Sequence, residues 1–440
     1  MKSGISRRAE RVALHGTRSG RRARAVGAAV GALAVATVGF APSAVADDVQ
    51  SKQWYLGPMQ AEQMWKVSTG KGVKVAVIDS GVNANTSSLK GQVLTDEVPK
   101  SVAYRATDDY GGHGTTMAEL IAGTGAGGGL KGLAPGAKIV PYRVKFENLK
   151  GGADELNKTP EPAEAIRAAA DTDAKIINMS FGAVGPSSKE EEAVEYAASK
   201  GKLLIAAVGN DGRKAGDTIG YPAAYSYVIG VASVDKSLTV SKFSSSGNYV
   251  DLSAPGQGFP GWCDTNFRSY CDNVNGTSSA AAIASGAAAL IWSAHPDWTV
   301  NQVTRALIDT AGRTWAKNNP SKYGGYGLIR PRLVLAKQNY DAGPANVDPL
   351  RAENGGDLLA KSAASSTSSS SSSSPSAPSS SASTPSQAPE KGSTGGTSAA
   401  GSSTESSKDD NTLWVVLGAV AAVVVVGGGG VAVARARRAR

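Results

Sequence analysis

Five short runs rich in apolar and β-branched residues punctuate the middle of this chain: Val73-Lys74-Val75-Ala76-Val77-Ile78, then 138–144, 175–179, 202–207 and 228–234. Helical patterns fill the gaps between several of them, at 162–170 and at 190–200, the second stopped by Gly201. Strands connected through helices run parallel, and a parallel sheet must be covered on both faces, so the spacing predicts an α/β fold. Sheets of this kind bind ligands at the carboxyl ends of their strands. Polar residues directly after each run are therefore the first candidates for function.

The two ends of the chain carry different signals. Residues 1–46 combine a basic start, an apolar run at 25–40 and Ala44-Val45-Ala46, which together read as a secretory signal peptide cleaved before Asp47. Residues 413–434 hold no charge and span about 33 Å as a helix at ~1.5 Å per residue, enough to cross a bilayer. Arg435, Arg437, Arg438 and Arg440 follow, the pattern of a cytoplasmic end, which places the body outside the cytoplasmic membrane. A linker is expected at 347–412, and within it the Ser-rich tract at 362–407, with scattered Pro, Gly and Thr, is too polar to form a core and is expected to be a flexible stalk. Of the formal net charge of +9, the signal holds +7 and the tail +4, leaving −2 for what lies between. The high pI thus gives no reason to expect nucleic-acid binding. Residues 47–346 remain as the functional domain.

Three strand ends carry candidate residues. The first run ends in Asp79-Ser80-Gly81, the run at 202–207 leads into Gly209-Asn210-Asp211-Gly212, and Asn275-Gly276-Thr277-Ser278 opens a small-residue helical stretch. Alone, each is also an ordinary turn or helix cap. The histidines change the balance. Of three, His15 belongs to the signal, and His295 stands before Pro296 at a helix end. His113, in "GGHGTTMAELIAG", begins a helix among glycines that allow close approach of a substrate backbone. Asp79, His113 and Ser278 thus appear in the order Asp, His, Ser, one of the known orders of a serine-protease triad.

The motifs "VAVIDSGV" (75–82), "GHGT" (112–115), "GLAPGAKI" (132–139), "INMSFG" (177–182), "AAVGNDG" (206–212), "YPAAYSYVIGVASVD" (221–235) and "NGTSSA" (275–280) resemble the subtilisin-like serine proteases. The resemblance implies a three-layer α/β/α fold and an Asp79–His113–Ser278 triad. It also implies an oxyanion hole from the Asn210 side chain and the Ser278 backbone N–H. Ser180, Phe181, Gly182 and Gly209 are implied as substrate-binding residues, and no cofactor is implied. The start "WYLGPMQAEQMW" with a stalk and single span is similar to the mycosins, membrane-anchored subtilases associated with type VII secretion, which suggests that secretion complex as a partner and exported proteins as substrates. An alternative is a subtilase fold used as a structural subunit. An esterase of the G-x-S-x-G kind is disfavoured, because Ala280 stands where the second Gly is needed.

Three departures from the family pattern stand out. Ala282 replaces the Pro usual four residues after the nucleophile. Residues 47–78 are too few for a large inhibitory prodomain. The loop at 122–132 has no carboxylate where relatives bind calcium, so no metal is expected there. Finally, Cys263 and Cys271, an even pair in an exported domain, are expected to form a disulfide pinning the loop before Ser278.

Overall fold

The computed structural model describes residues 49–212 and 218–356. Its strands are β1 (Lys74–Asp79), β2 (Lys138–Arg143), β3 (Ile176–Met179), β4 (Leu203–Ala207), β5 (Val228–Val234), β6 (Leu252–Pro255), β7 (Gln257–Trp262) and β8 (Tyr270–Asn275). The helices are α1 (Ala61–Trp65), α2 (His113–Ala122), α3 (Ala153–Lys158), α4 (Pro162–Ala170), α5 (Ser188–Ser199), α6 (Thr277–Ala294), α7 (Val300–Thr310) and α8 (Arg332–Leu335). Strands β1 to β6 form one sheet in the order β2-β1-β3-β4-β5-β6, every pair parallel.

Alternation along the strands sorts the core into two layers. Val75, Val77, Ile176, Ile205 and Val231 face α2, α6 and α7, while Ala76, Ile78, Ile177, Leu204 and Ala232 face α4 and α5. Because both faces are covered, the strands are buried almost throughout, which is why they read as continuous apolar runs. The result is the expected three-layer α/β/α arrangement. Helix α6 lies on the sheet's central strands and is buried at 83% of its residues; its Ala, Ser and Gly content lets it sit close to β3, β4 and β5.

Two elements escaped the sequence pattern. Strand β6 is four residues long and ends in Pro255, too short to show a period. Strands β7 and β8 pair antiparallel as a hairpin, with Gly and Pro inside β7 and shifts of register that hide its alternation. A disulfide joins Cys263 to Cys271 across this hairpin, as expected. The segment before β1 braces it: the Trp54 indole donates to Gln257 O at 2.9 Å and Lys52 pairs with Asp272.

The sequence reading begins the linker at 347, but residues 347–356 lie against the domain. Leu350 is buried in the core, and Asn354 Oδ1 accepts the Tyr227 N–H at 2.7 Å. Val347, Leu350 and Ala352 among polar residues, Pro and Gly are too few to show a period. The expected signal peptide, the stalk beyond 356, the span at 413–434 and the basic tail lie outside the described residues.

Candidate active site

The site is assembled from residues that directly follow strands or begin helices. Asp79, the last residue of β1, is fully buried, and its carboxylate accepts His113 Nδ1 at 2.8 and 3.0 Å and the Ser80 N–H at 2.7 Å. His113 is the first residue of α2. The next residue must be small: a Cβ on Gly114 would lie 2.1 Å from Gly81 O, so only glycine lets α2 start this close to the end of β1.

A second carboxylate holds the helix start. Asp109 Oδ1 accepts the Gly111 and Gly112 N–H groups at 2.9 and 2.8 Å and the Ser80 hydroxyl at 2.7 Å. Its Oδ2 accepts the Thr115 N–H at 2.8 Å and the Thr115 hydroxyl at 2.6 Å. Otherwise unpaired donors at the N-terminus of α2 are thus satisfied by one buried side chain, placing negative charge where the helix dipole favours it.

Asp79 accepts from Nδ1, so that nitrogen carries the proton and Nε2 presents a lone pair. Burial works to lower the His113 pKa, but the charge and hydrogen bond of Asp79, with the charge of Asp109, outweigh it and raise the value. The ring remains open on its outer side, with 44% of the side chain exposed.

Ser278 is the second residue of α6 and partly exposed, whereas its neighbours Thr277 and Ser279 are buried. Two strand ends hold it. After β4, Asn210 Oδ1 accepts the Thr277 N–H at 2.9 Å and lies 3.0 Å from the Thr277 hydroxyl. Because a backbone N–H can only donate, this contact fixes which way the amide faces and leaves Nδ2 unpartnered among the described residues. After β3, the Ser180 hydroxyl donates to Ser278 O at 2.9 Å. No hydrogen bond joins Ser278 Oγ to His113 among the described residues; such contacts commonly tighten only when substrate binds.

The four expected substrate-binding residues divide. Phe181 packs against Phe146 with the rings tilted, ring centres 5.1 Å apart, and Gly182 is exposed; neither has its backbone paired among the described residues, so both present free donors and acceptors. Ser180 instead turns its side chain inward, 2% exposed. Gly209, at φ 110°, donates its N–H to Thr277 Oγ1 at 3.2 Å, and its carbonyl accepts the Ser245 N–H at 3.0 Å, so it offers a wall rather than backbone partners.

The disulfide hairpin is tied to α2. The Trp262 N–H donates to Thr116 Oγ1 at 3.0 Å, Trp262 stacks on Tyr270, and the Tyr270 hydroxyl donates to Glu119 Oε2 at 2.8 Å. Burial pushes the Glu119 carboxyl up to about 7 against the lowering effect of its Thr86 and Tyr270 partners. Between the hairpin tip and the loop entering α2 lies a polar cleft lined by Asn83, Asp108, Tyr110, Asn266 and Phe267.

Sequence reading missed Asp109, Thr277, Asn178 and Ser285. Asp109 had a signal, an Asp ahead of a glycine-flanked helix start. Asn178 and Ser285 are small polar residues inside apolar runs, Thr277 reads as one more residue of a helix cap, and the partners of all three are distant in sequence.

Residues 70–327 match the Subtilase family, Peptidase_S8. Thermitase of Thermoactinomyces vulgaris is 33% identical over 288 residues, covering 62% of this chain and 95% of thermitase. The minor extracellular protease Epr of Bacillus subtilis is 33% identical over 300 residues, 66% of this chain but only 43% of Epr, so the chain spans less than half of that relative. Among solved structures, the MycP3 protease from the type VII (ESX-3) secretion system aligns with a TM-score of 0.52 at 27% identity, covering 66% of this chain and 90% of MycP3. The serine protease MycP1, described as an essential component of the type VII (ESX-1) secretion system, aligns at 0.54 and 27%, covering 67% and 90%.

Proposed function

Since the chain belongs to the subtilase family of serine-type endopeptidases, we propose that Ser278, His113 and Asp79 form its catalytic triad. Ser278 Oγ attacks the peptide carbonyl while His113 Nε2 takes its proton, and Asp79 stabilises the imidazolium that forms. The same proton then passes from Nε2 to the departing amine. Charge on the carbonyl oxygen is met by Asn210 Nδ2 and the Ser278 N–H at the positive end of α6. The unpaired backbone of Phe181 and Gly182 binds the acyl side of the substrate as an added strand. The observation that carries this reading is the pairing of buried Asp79 with His113, whose Nε2 faces outward, in a chain whose Asn210 amide is locked beside the start of α6.

Labelling by a fluorophosphonate tests it. Wild-type protein is expected to be labelled and to cleave peptides, and Ser278→Ala to do neither while remaining folded, since loss of a serine near a helix start costs about 1 kcal/mol. A folded wild-type domain that takes no label would overturn the reading.

The physiological setting we infer is a membrane-anchored protease, its domain outside the cytoplasmic membrane, acting on proteins exported by a type VII secretion system. The apolar run at 413–434 with its basic tail supports the anchor, and the likeness to MycP3 and MycP1 supports the secretion role. Protease added to intact cells is expected to release the domain, and a Ser278→Ala strain to alter the secreted proteome. Restoration of secretion by Ser278→Ala in a deletion strain, with an unchanged secreted proteome, would favour the structural-subunit alternative.

A further inference from the structure

Helix α6 carries a buried serine, Ser285, two turns beyond Ser278 on the side that meets the sheet. Its hydroxyl donates to Asn178 Oδ1 at 3.0 Å. Asn178 lies in β3, an amide in an otherwise apolar strand, and its Nδ2 donates to Ser180 Oγ at 2.9 Å. Ser180 in turn donates to Ser278 O at 2.9 Å. Ser285 and Asn178 are fully buried and Ser180 is 2% exposed, so water does not compete for these bonds.

The direction of the chain follows from proton counting. A hydroxyl has one proton, an amide nitrogen only donates and an amide oxygen only accepts. With Nδ2 toward Ser180, the Ser180 proton is free for the Ser278 carbonyl and every member is satisfied. With the amide reversed, Ser180 would give its proton to Oδ1 and face the Ser278 carbonyl lone pair against lone pair. The Ser278 carbonyl, which can only accept, therefore fixes the orientation of Asn178, and Ser285 donates to the Oδ1 left facing it.

We propose that Asn178 is a positioning residue for Ser278: it aims the Ser180 proton at the Ser278 carbonyl and so fixes the first turn of α6 on the end of β3. This rests on the reading of Ser278 as nucleophile. On the N-terminal side of Ser278, Thr277 is bound to Asn210; on the C-terminal side, the relay holds the 278–279 peptide plane. With the 276–277 plane and the 278–279 plane held on either side of it, Ser278 has little freedom left, and its Cα–Cβ direction and N–H donor are set together. The small side chains of α6 bring helix and sheet close but give no directional hold, and the relay supplies it.

Asn178→Asp is the discriminating variant, since it keeps shape and size. A carboxylate accepts from both Ser285 and Ser180, drawing the Ser180 proton away from Ser278. We expect the fluorophosphonate acylation rate and kcat to fall about tenfold, the effect of losing roughly one well-placed hydrogen bond, with KM within about twofold. Ser180→Ala should fall equally, the double variant no further, and Ser180→Thr, which restores the hydroxyl, should recover most of the rate. If Asn178→Asp fails to fold, Ser180→Ala and Ser180→Thr decide the matter, because they change single atoms. A labelled wild type with folded Ser180→Ala acylating at the wild-type rate, or changing only KM, overturns the relay alone. An unlabelled wild type overturns the nucleophile reading and the relay with it.

Discussion

Asp79 and His113 stand 34 residues apart in the chain, yet the Asp79 carboxylate lies 2.8 Å from His113 Nδ1. Three local features make this meeting possible: β1 ends at the aspartate, Gly114 permits α2 to begin against Gly81, and Asp109 ties down the loop between. The pair has an electrostatic consequence. Burial opposes a charged imidazole, but the two nearby carboxylates prevail and raise the His113 pKa.

With His113 as the proposed general base, catalysis needs the neutral ring, so activity should be lost as pH falls through this raised pKa, placing the acid limb above the ordinary histidine value. Asp79→Asn removes the main charge that raises it and frees the imidazole to take the wrong tautomer. We expect kcat to drop about 10⁴-fold and the residual activity to show its acid limb at lower pH. A pH–rate profile of the variant with its acid limb unmoved would refute the electrostatic account.

Asn210→Ala should lower kcat by about 10²–10³-fold, the scale found for the matching donor in a subtilisin, with little change in KM. The variant also strips Thr277 of its acceptor. Thr277→Val, which loses only the hydroxyl and keeps the N–H bond to Asn210, should therefore be far milder. Equal losses in the two variants would mean that Asn210 acts by holding the helix and not as an oxyanion donor.

The sheet was legible because its strands are covered on both faces and so read as uninterrupted apolar runs; 228–234 matches β5 at both ends. His113 and Asp79 could be found because His113 is the one histidine preceding a helix among glycines. Asn178 could not. Its burial depends on facing α6, and its partner Ser285 is 107 residues away, a separation at which no local pattern carries information. Glu119 was hidden similarly: on a helix, a charged residue reads as a solvent face until the hairpin covering it is known.

Glu119 sets a pH dependence of stability. Unfolded, its carboxyl titrates near the ordinary 4.5; folded, burial pushes it up to about 7. Below the first value both states keep the proton and nothing is lost. As pH rises between the two, the unfolded state ionises first and stability falls by about 1.4 kcal/mol per pH unit, levelling off above 7. Glu119→Gln should flatten that slope in denaturant melts between pH 4.5 and 7, where its own contribution is removed. An unchanged slope would show that Glu119 is already ionised in the folded state.

Ala282 offers a last test of how Ser278 is held. It is fully buried in α6, four residues after Ser278, where helix geometry directs its N–H to the Ser278 carbonyl. That carbonyl also accepts the Ser180 hydroxyl, so it has two donors. Proline at 282 removes one of them, and its ring presses on the same carbonyl, at a cost of about 3 kcal/mol in a helix interior. Ala282→Pro should therefore lower the melting temperature and change kcat while leaving KM alone, since the backbone of Phe181 and Gly182, proposed to bind the substrate, is untouched. With its helical donor gone, the carbonyl would depend on Ser180, and Ser180→Ala should now be more damaging than in the wild-type background. A double-mutant cycle on acylation rates is expected to show a loss at least about threefold beyond the product of the single effects, within the range for residues sharing one partner. Strict additivity would mean that the two donors do not act on the same group, and that Ser278 is held by the packing of α6 alone.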